Sequence, residues 1–308
     1  MNEGFLERQR ERLAALSEKA RFVAYDGALV ERLPEADALC GTTPPVEVLD
    51  RCERLRWVHV RSAGVNPRLV AALATRGITM TKGSGAFDVA IAEHVLAMVF
   101  AFSRNLTGFL RNQLKRRWDR DATVLQIERK TLGIYGMGSI GTELARKAHA
   151  LGMRVYGIAL HERPAPSFVE ALWTPDRLAD LLRVSDFLAV CVPLTPETEG
   201  LFGEREFRLM KRTAYFFNIG RGKTVVQEAL IAALRNGEIA GAGLDVMDPE
   251  PLPPESPLWE MENVLLTPHI SGTSDETERR ADTIALENIR RFLAGEPLKN
   301  VVDPVHGY

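Results

Sequence analysis

Reactive side chains in this sequence recur just after short apolar runs. Arg221 follows AYFFNI (214–219), in the string NIGRG. Asp245 closes, and Asp248 and Glu250 follow, the run AGAGLDV (240–246). His269 follows VLLT (264–267), in TPHISG. Arg61 and then Ser62, Ala63 and Gly64 follow WVHV (57–60). Short apolar runs ended by Gly or Pro read as buried parallel strands, and α/β proteins bind ligands at the carboxyl ends of such strands. An arginine there can grip a planar carboxylate through its forked donors. A histidine can give or take the proton of a reacting oxygen. A carboxylate bonded to that histidine fixes its tautomer and favours its charged form. The set suits hydride transfer beside a carboxylate, if a cofactor supplies the hydride.

Spacing alone leaves plainer roles open. His269 follows a proline at a strand end, where a histidine serves structure as often as chemistry. Arg221 between two glycines fits a solvated turn, and Glu250, within DPEPLPPESP (248–257), fits an exposed loop. His94, beside Glu93 on an apolar helix pattern, reads as a packed helix residue, and His59, inside a strand, as structural.

The element that would organise these groups is LGIYGMGSIG (132–141). Gly136, Gly138 and Gly141 match G-x-G-x-x-G. The first glycine permits a tight turn, the second a close approach to a pyrophosphate, and the third close packing of helix on sheet. The context fits: a strand over Thr131–Tyr135, a helix through Glu143–Leu151 with Gly152 past its end, then a strand over Arg154–Ala159. The start of that helix offers unpaired N–H groups and partial positive charge to phosphates.

Around this unit the chain alternates helix and strand patterns. Arg21–Tyr25, Ala38–Cys40, Trp57–Val60 and Ile78–Met80 read as strands, with helices over Glu47–Cys52 and Pro67–Ala74. A long helical pattern runs from Asp88 to about Trp118, with a break expected at Gly108, where the chain would cross between domains. Further strands are expected over Asp186–Val192, Ala214–Ile219, Ala240–Val246 and Val264–Thr267, with helices over Val226–Asn236 and Asp275–Ala294. The expectation is α/β, with parallel sheets covered on both faces.

Composition narrows the partners. A net charge of −2 gives no basic field for nucleic acid or an anionic membrane. Cys40, Cys52 and Cys191 are scattered and odd in number, which argues against a disulfide framework or a metal site and suits a reducing cytoplasm. The N-terminal stretch reads as a charged amphipathic helix rather than a signal peptide. The apolar stretch Val89–Phe102 is interrupted by Glu93 and His94 and is too short and polar to span a bilayer.

Six motifs, AEHVLAM (92–98), TLGIYGMGSIG (131–141), VPLTPET (192–198), LMKRTAYFFNIGRG (209–222), GAGLDVMDPEP (241–251) and LLTPHISG (265–272), make the chain resemble the D-isomer-specific 2-hydroxyacid dehydrogenase family in order and spacing. The resemblance covers roughly residues 55–300. It implies two Rossmann-like doubly wound parallel-sheet domains with the active site in the cleft between them: a discontinuous substrate-binding domain (1–100 and 275–308) and a dinucleotide-binding domain (101–274). It implies that Arg221 binds the substrate carboxylate, that His269 is the acid/base, and that Glu250 pairs with it. Where the family often reads E-x-E-P, this chain has Asp248 in place of the first acid and keeps Glu250. The resemblance also implies that Ser139 and Ile140 lie on the pyrophosphate turn and Asp245 near the nicotinamide. It adds Val192, Pro193, Ile219 and Gly272 to the cofactor contacts, with Arg221 and His269. Arg61 and the Ser62, Ala63 and Gly64 loop would hold the substrate with Arg221 and His269.

One position departs from the pattern. NAD-using members usually end the second strand with an aspartate that holds the ribose hydroxyls; here Ala159 takes that place, followed by Leu160, His161, Glu162 and Arg163. Without the carboxylate a 2′-phosphate is not repelled, and His161 or Arg163 can bind one, so NADP(H) is favoured over NAD(H). Glu162 serves the ribose instead if the loop is shifted. The resemblance implies a cytoplasmic homodimer, joined through the cofactor domain, acting on a small 2-keto or 2-hydroxy acid, with glyoxylate or hydroxypyruvate first. The rivals are a phosphoglycerate dehydrogenase, with Arg61 meeting the phosphate, and a non-catalytic NAD(P)-sensing protein. Trp118 either reaches a substrate pocket, in its own subunit or a neighbour's, or packs as an ordinary tryptophan.

Overall fold

The computed structural model describes residues 1, 3–18, 20–24 and 33–304. The chain divides into two compact units, Met1–Phe87 with Ser274–Tyr308, and Asp88–Thr273. The first division falls at 87/88 rather than near 100, because the helix that begins at Asp88 packs along the helix after the glycine turn and so belongs with the second unit.

In the first unit α1 (Glu3–Arg8) and α2 (Arg10–Leu16) precede β1 (Ala38–Cys40), β2 (Trp57–Val60), α3 (Pro67–Ala74) and β3 (Thr79–Lys82). The helix expected over Glu47–Cys52 is a 3-10 helix, Val46–Arg51. The strand expected over Arg21–Tyr25 does not form at residues 21–24, and Tyr25 lies outside the described residues. The three strands make a parallel sheet in the order β1-β2-β3, with Cys40 opposite His59 and His59 opposite Thr81. Period-two alternation sorts its faces. Val58 and Val60 pack with Leu69, Leu73 and Met80 on one face, and Trp57 packs with Phe5, Leu13, Ala285 and Ile289 on the other. The last two of those residues come from the final helix of the chain, Thr277–Ala294.

The second unit opens with α4 (Asp88–Ser103) and α5 (Leu106–Leu114). These helices are bent by 64°. The break lies at Asn105, whose φ of 50° is left-handed, and not at Gly108. Gly108 sits inside α5 because a Cβ there would lie 2.4 Å from the Asn105 side-chain oxygen. Both helices belong to this unit, so the chain does not cross between domains there.

Then come β4 (Thr131–Tyr135), α6 (Ser139–Ala150), β5 (Arg154–Ile158), β6 (Ala171–Trp173), α7 (Leu178–Val184), β7 (Phe187–Val190), α8 (Glu204–Leu209), β8 (Tyr215–Asn218), α9 (Gln227–Arg235), β9 (Gly241–Leu244) and β10 (Val264–Leu266); the final helix of the chain is α10. β6, α7 and α8 lie outside the elements expected from the sequence. The seven strands are parallel in the order β10-β9-β8-β7-β4-β5-β6. Every residue of β4 is buried, as a central parallel strand covered on both faces requires. The winding reverses between β4 and β7. That reversal opens a crevice at their carboxyl ends, the standard ligand position of a doubly wound sheet.

Candidate active site

The glycine turn sits at this switch point. It leaves β4 at Gly136, whose φ of +108° suits glycine. A Cβ there would lie 2.7 Å from Val192 Cγ1 and 2.8 Å from the Cys191 carbonyl oxygen, both just past β7. At Gly141 a Cβ would lie 2.2 Å from the Gly136 carbonyl oxygen, so that glycine lets α6 close onto the turn. Gly138 differs: a Cβ there would meet nothing within 4 Å. Ordinary packing does not require this glycine, and the open space lies at the start of α6, where no side chain caps the helix. Helix-terminal N–H groups facing open space fit a pyrophosphate, so the residues present fit a dinucleotide. Ser139 is exposed and Ile140 half-buried on the first turn of α6.

Beyond β5, Ala159 is buried and carries no carboxylate, while Leu160 to Arg163 are exposed. The Arg163 guanidinium turns back and donates to the carbonyl of Met137, between the first two glycines of the fingerprint. That contact sets a cation beside the turn. Pro193 and Ile219 follow β7 and β8; the Pro193 carbonyl accepts from Thr198 Oγ1 at 2.8 Å, and the Ile219 N–H donates to the Val190 carbonyl at 3.3 Å.

The reactive groups leave three neighbouring strands. After β8, the Asn218 side chain ties the turn: its Oδ1 accepts from the Gly220 N–H at 3.0 Å and its Nδ2 donates to the Arg221 carbonyl at 3.0 Å. Thr224 Oγ1 donates to the same carbonyl at 2.7 Å. The backbone of Arg221 is thus held, while its guanidinium donates only to the Gly220 carbonyl and forms no ion pair among the described residues. After β10, His269 Nδ1 lies 2.8 Å from Glu250 Oε2. Glu250 is itself held, Oε1 accepting from the Met247 N–H at 3.1 Å. An ionised carboxylate only accepts, so Nδ1 carries a proton and Nε2 is left for a reacting oxygen. Asp248 is exposed, and its N–H donates to the Gln227 side chain.

Asp245, after β9, is fully buried. Burial alone would raise its carboxyl, but bonds from the Ser271 and Thr267 side chains and from the Ile270 and Ser271 N–H groups outweigh burial and hold it below its usual value. Its oxygens accept from Thr267 Oγ1 at 2.6 Å, the Ile270 N–H at 2.9 Å and the Ser271 N–H at 2.9 Å. The carboxylate therefore braces the loop that carries His269 and Gly272. His94, read from the sequence as a packed helix residue, reaches Thr267 Oγ1 at 3.0 Å through Nε2. No local spacing signal could have joined them, since 173 positions separate the two residues.

In the first unit, Arg61 is already engaged. Its Nη2 meets Asp282 Oδ1 on α10 at 2.9 Å, and its Nη1 lies 3.9 Å from Glu278. Ser62 Oγ donates to the Gly64 carbonyl at 2.6 Å, across Ala63. Trp118 is 91% exposed and so does not pack as an ordinary core tryptophan. Among the described residues no group of three or more His, Cys, Asp or Glu side chains could hold a metal ion.

The chain is similar to known proteins. Residues 96–271 match a family model described as D-isomer specific 2-hydroxyacid dehydrogenase, NAD binding domain. A glyoxylate reductase of Korarchaeum cryptofilum is 37% identical over 284 residues, covering 89% of this chain and 85% of that protein. A D-3-phosphoglycerate dehydrogenase of Methanocaldococcus jannaschii is 32% identical over 279 residues, covering 89% of this chain but 53% of that longer protein. Among solved structures, an NADPH-dependent glyoxylate/hydroxypyruvate reductase of Sinorhizobium meliloti, in complex with NADP and sulfate, superposes with a TM-score of 0.85 at 29% identity, covering 98% of this chain and 96% of that one.

Proposed function

The chain belongs to the D-isomer specific 2-hydroxyacid dehydrogenase family, a family of oxidoreductases, and on that premise we propose that it reduces glyoxylate or hydroxypyruvate to the 2-hydroxy acid, with NADPH preferred. The observation that carries this reading is the His269–Glu250 pair at 2.8 Å, on a strand end two strands from Arg221, whose guanidinium forms no ion pair among the described residues. When bound, the reduced nicotinamide supplies the hydride. The residues of this chain do the rest. Arg221 orients the substrate carboxylate, and His269 Nε2 gives its proton to the keto oxygen. The ring gives that proton as the imidazolium and is left as the neutral Nδ1–H form, whose N–H Glu250 accepts and whose orientation Glu250 sets.

NADPH preference is supported by Ala159, which leaves no carboxylate to repel a 2′-phosphate, and by the two bases His161 and Arg163 in the exposed loop after it. It is supported too by the S. meliloti relative, an NADPH-dependent reductase in complex with NADP. A phosphate-bearing substrate is less favoured, because Arg61, the cation beside the carboxylate loop, is engaged by Asp282. A homodimer through the second unit is supported by α5, which has no buried residue and exposes Leu106, Leu110 and Leu114, with Trp118 just beyond. No single helix among the described residues is long and apolar enough to cross a membrane. The three free cysteines support a cytoplasmic setting.

The test is initial rates with NADPH and NADH against glyoxylate, hydroxypyruvate, pyruvate and phosphohydroxypyruvate, with His269→Ala and Arg163→Ala alongside. NADPH-linked turnover on a small keto acid is expected. It is lost in His269→Ala, which still binds cofactor, and Arg163→Ala narrows the NADPH preference. Tight nucleotide binding with no turnover on any keto acid would instead favour the sensor reading.

A further inference from the structure

His269 has a backbone conformation that needs support. Its φ is +51°, in the left-handed region that a residue with a Cβ seldom occupies. Such a conformation persists where the surroundings over-determine it. Here the supports converge on Asp245. The His269 N–H donates to the Asp245 carbonyl at 2.9 Å and to the Thr267 carbonyl at 3.1 Å, while the next two N–H groups donate to the Asp245 carboxylate. The remaining tie is the Thr267 hydroxyl, 2.6 Å from Asp245 Oδ1.

A hydroxyl has one proton and two acceptor positions. Because Asp245 is held ionised, Thr267 must be the donor in that short contact. Toward His94 Nε2, at 3.0 Å, Thr267 can then only accept. His94 therefore carries a proton on Nε2, and the bonds run in one direction, from His94 to Thr267 to Asp245. His94 is itself fixed on α4, whose neighbouring residues Ile91, Ala92, Val95 and Leu96 are buried. We propose that His94 is a positioning residue for proton transfer. By holding the Thr267 hydroxyl toward Asp245, it keeps the 267–271 loop in the conformation that presents His269 to Glu250. This inference rests on the reading of His269 as the acid/base.

The experiment compares His94→Ala, His94→Gln, Thr267→Val, the His94→Ala/Thr267→Val double variant and His269→Ala in the same keto-acid assay, with NADPH affinity and Tm measured on each. His94→Ala is expected to lower kcat about five- to ten-fold, the scale of one lost hydrogen bond, while KM and NADPH affinity stay within about two-fold. His94→Gln keeps an N–H donor of similar reach and should restore most of kcat. The double variant should be no slower than Thr267→Val alone, because both changes cut one chain of bonds. A packing role alone would lower Tm, give additive losses and show no rescue by Gln, and would overturn the proposal. So would full kcat in a folded His94→Ala. If His94→Ala fails to fold, Thr267→Val, which leaves α4 intact, carries the same test, and unchanged kcat there overturns it. Turnover surviving in His269→Ala would instead refute the acid/base reading, whatever the His94 variants do.

Discussion

At Gly138 cofactor binding can be separated from folding. The residue has φ −75° and ψ −158°, which an alanine adopts without strain, and a Cβ there meets no atom within 4 Å. Gly138→Ala therefore has two small and opposed effects on stability. Reduced freedom of the unfolded chain stabilises by about 0.4–1 kcal/mol. Alanine is also a poorer residue than glycine at a helix N-cap, at a cost of similar size. The net is close to zero, so Tm should move by no more than about 2–4 °C. Binding is another matter, because the methyl group fills the space beside the first turn of α6. Crowding a close contact by one methyl costs about 1–3 kcal/mol. A loss near the middle of that range, about 2 kcal/mol, is roughly a 30-fold weaker Kd for NADPH. Gly141→Ala is the contrast. Its Cβ would fall 2.2 Å from the backbone oxygen of Gly136, an atom that cannot rotate away, so Tm should fall together with affinity. The assay is calorimetric titration with NADPH beside thermal unfolding. A Gly138→Ala protein that binds NADPH as tightly as the unaltered chain would refute the placement of the pyrophosphate at this turn.

Two further outcomes concern the first unit. Asp282 is buried and accepts from Arg61 Nη2 at 2.9 Å, Arg8 Nε at 3.1 Å and Gln9 Nε2 at 3.0 Å, so Asp282→Ala leaves two guanidinium groups with only the longer contacts to Glu278, at 3.9 and 3.6 Å. Urea unfolding should show a loss of about 3–5 kcal/mol, and a loss under about 1 kcal/mol would mean the pairs are solvent-screened. His59 is buried with its Nδ1 on Thr81 Oγ1; burial, with help from Arg61, lowers its pKa from 6.5 to about 4. The unfolded chain then takes up the proton first as pH falls. The stability that neutral His59 provides is complete above pH 6.5 and is lost as pH drops from 6.5 toward about 4. The loss is at most about 1.4 kcal/mol per pH unit, and His59→Gln should flatten the stability profile over that window. An unchanged profile would mean that His59 is solvated.

Features set by neighbours along the chain are legible in the sequence. The glycine fingerprint, the strand before it and the helix after it lie within one stretch. The break between α4 and α5 was misplaced for a related reason. Gly108 is the stronger local signal, but Asn105 takes the left-handed turn and Gly108 only makes room for its side chain. β6 was missed because three residues, ALW, carry too little pattern to stand out from a loop. The groups proposed for catalysis were legible as types placed after strands, and the motifs suggested their roles. The partners of those groups were not legible.

The sequence by itself determined that the chain is α/β, that a glycine-fingerprint turn lies at 136–141, and that Arg221, Glu250 and His269 follow strands. Periodicity, turn chemistry and motif order act over a few residues and survive in one dimension. Tertiary structure decided the strand order that puts the glycine turn at the switch point. It also decided the capture of Arg61 by Asp282, the burial of Asp245 beneath the 267–271 loop, and the contact of His94 with Thr267. Such pairings depend on where separate elements come to rest, and a buried polar group takes whichever partner the packing brings within hydrogen-bond reach.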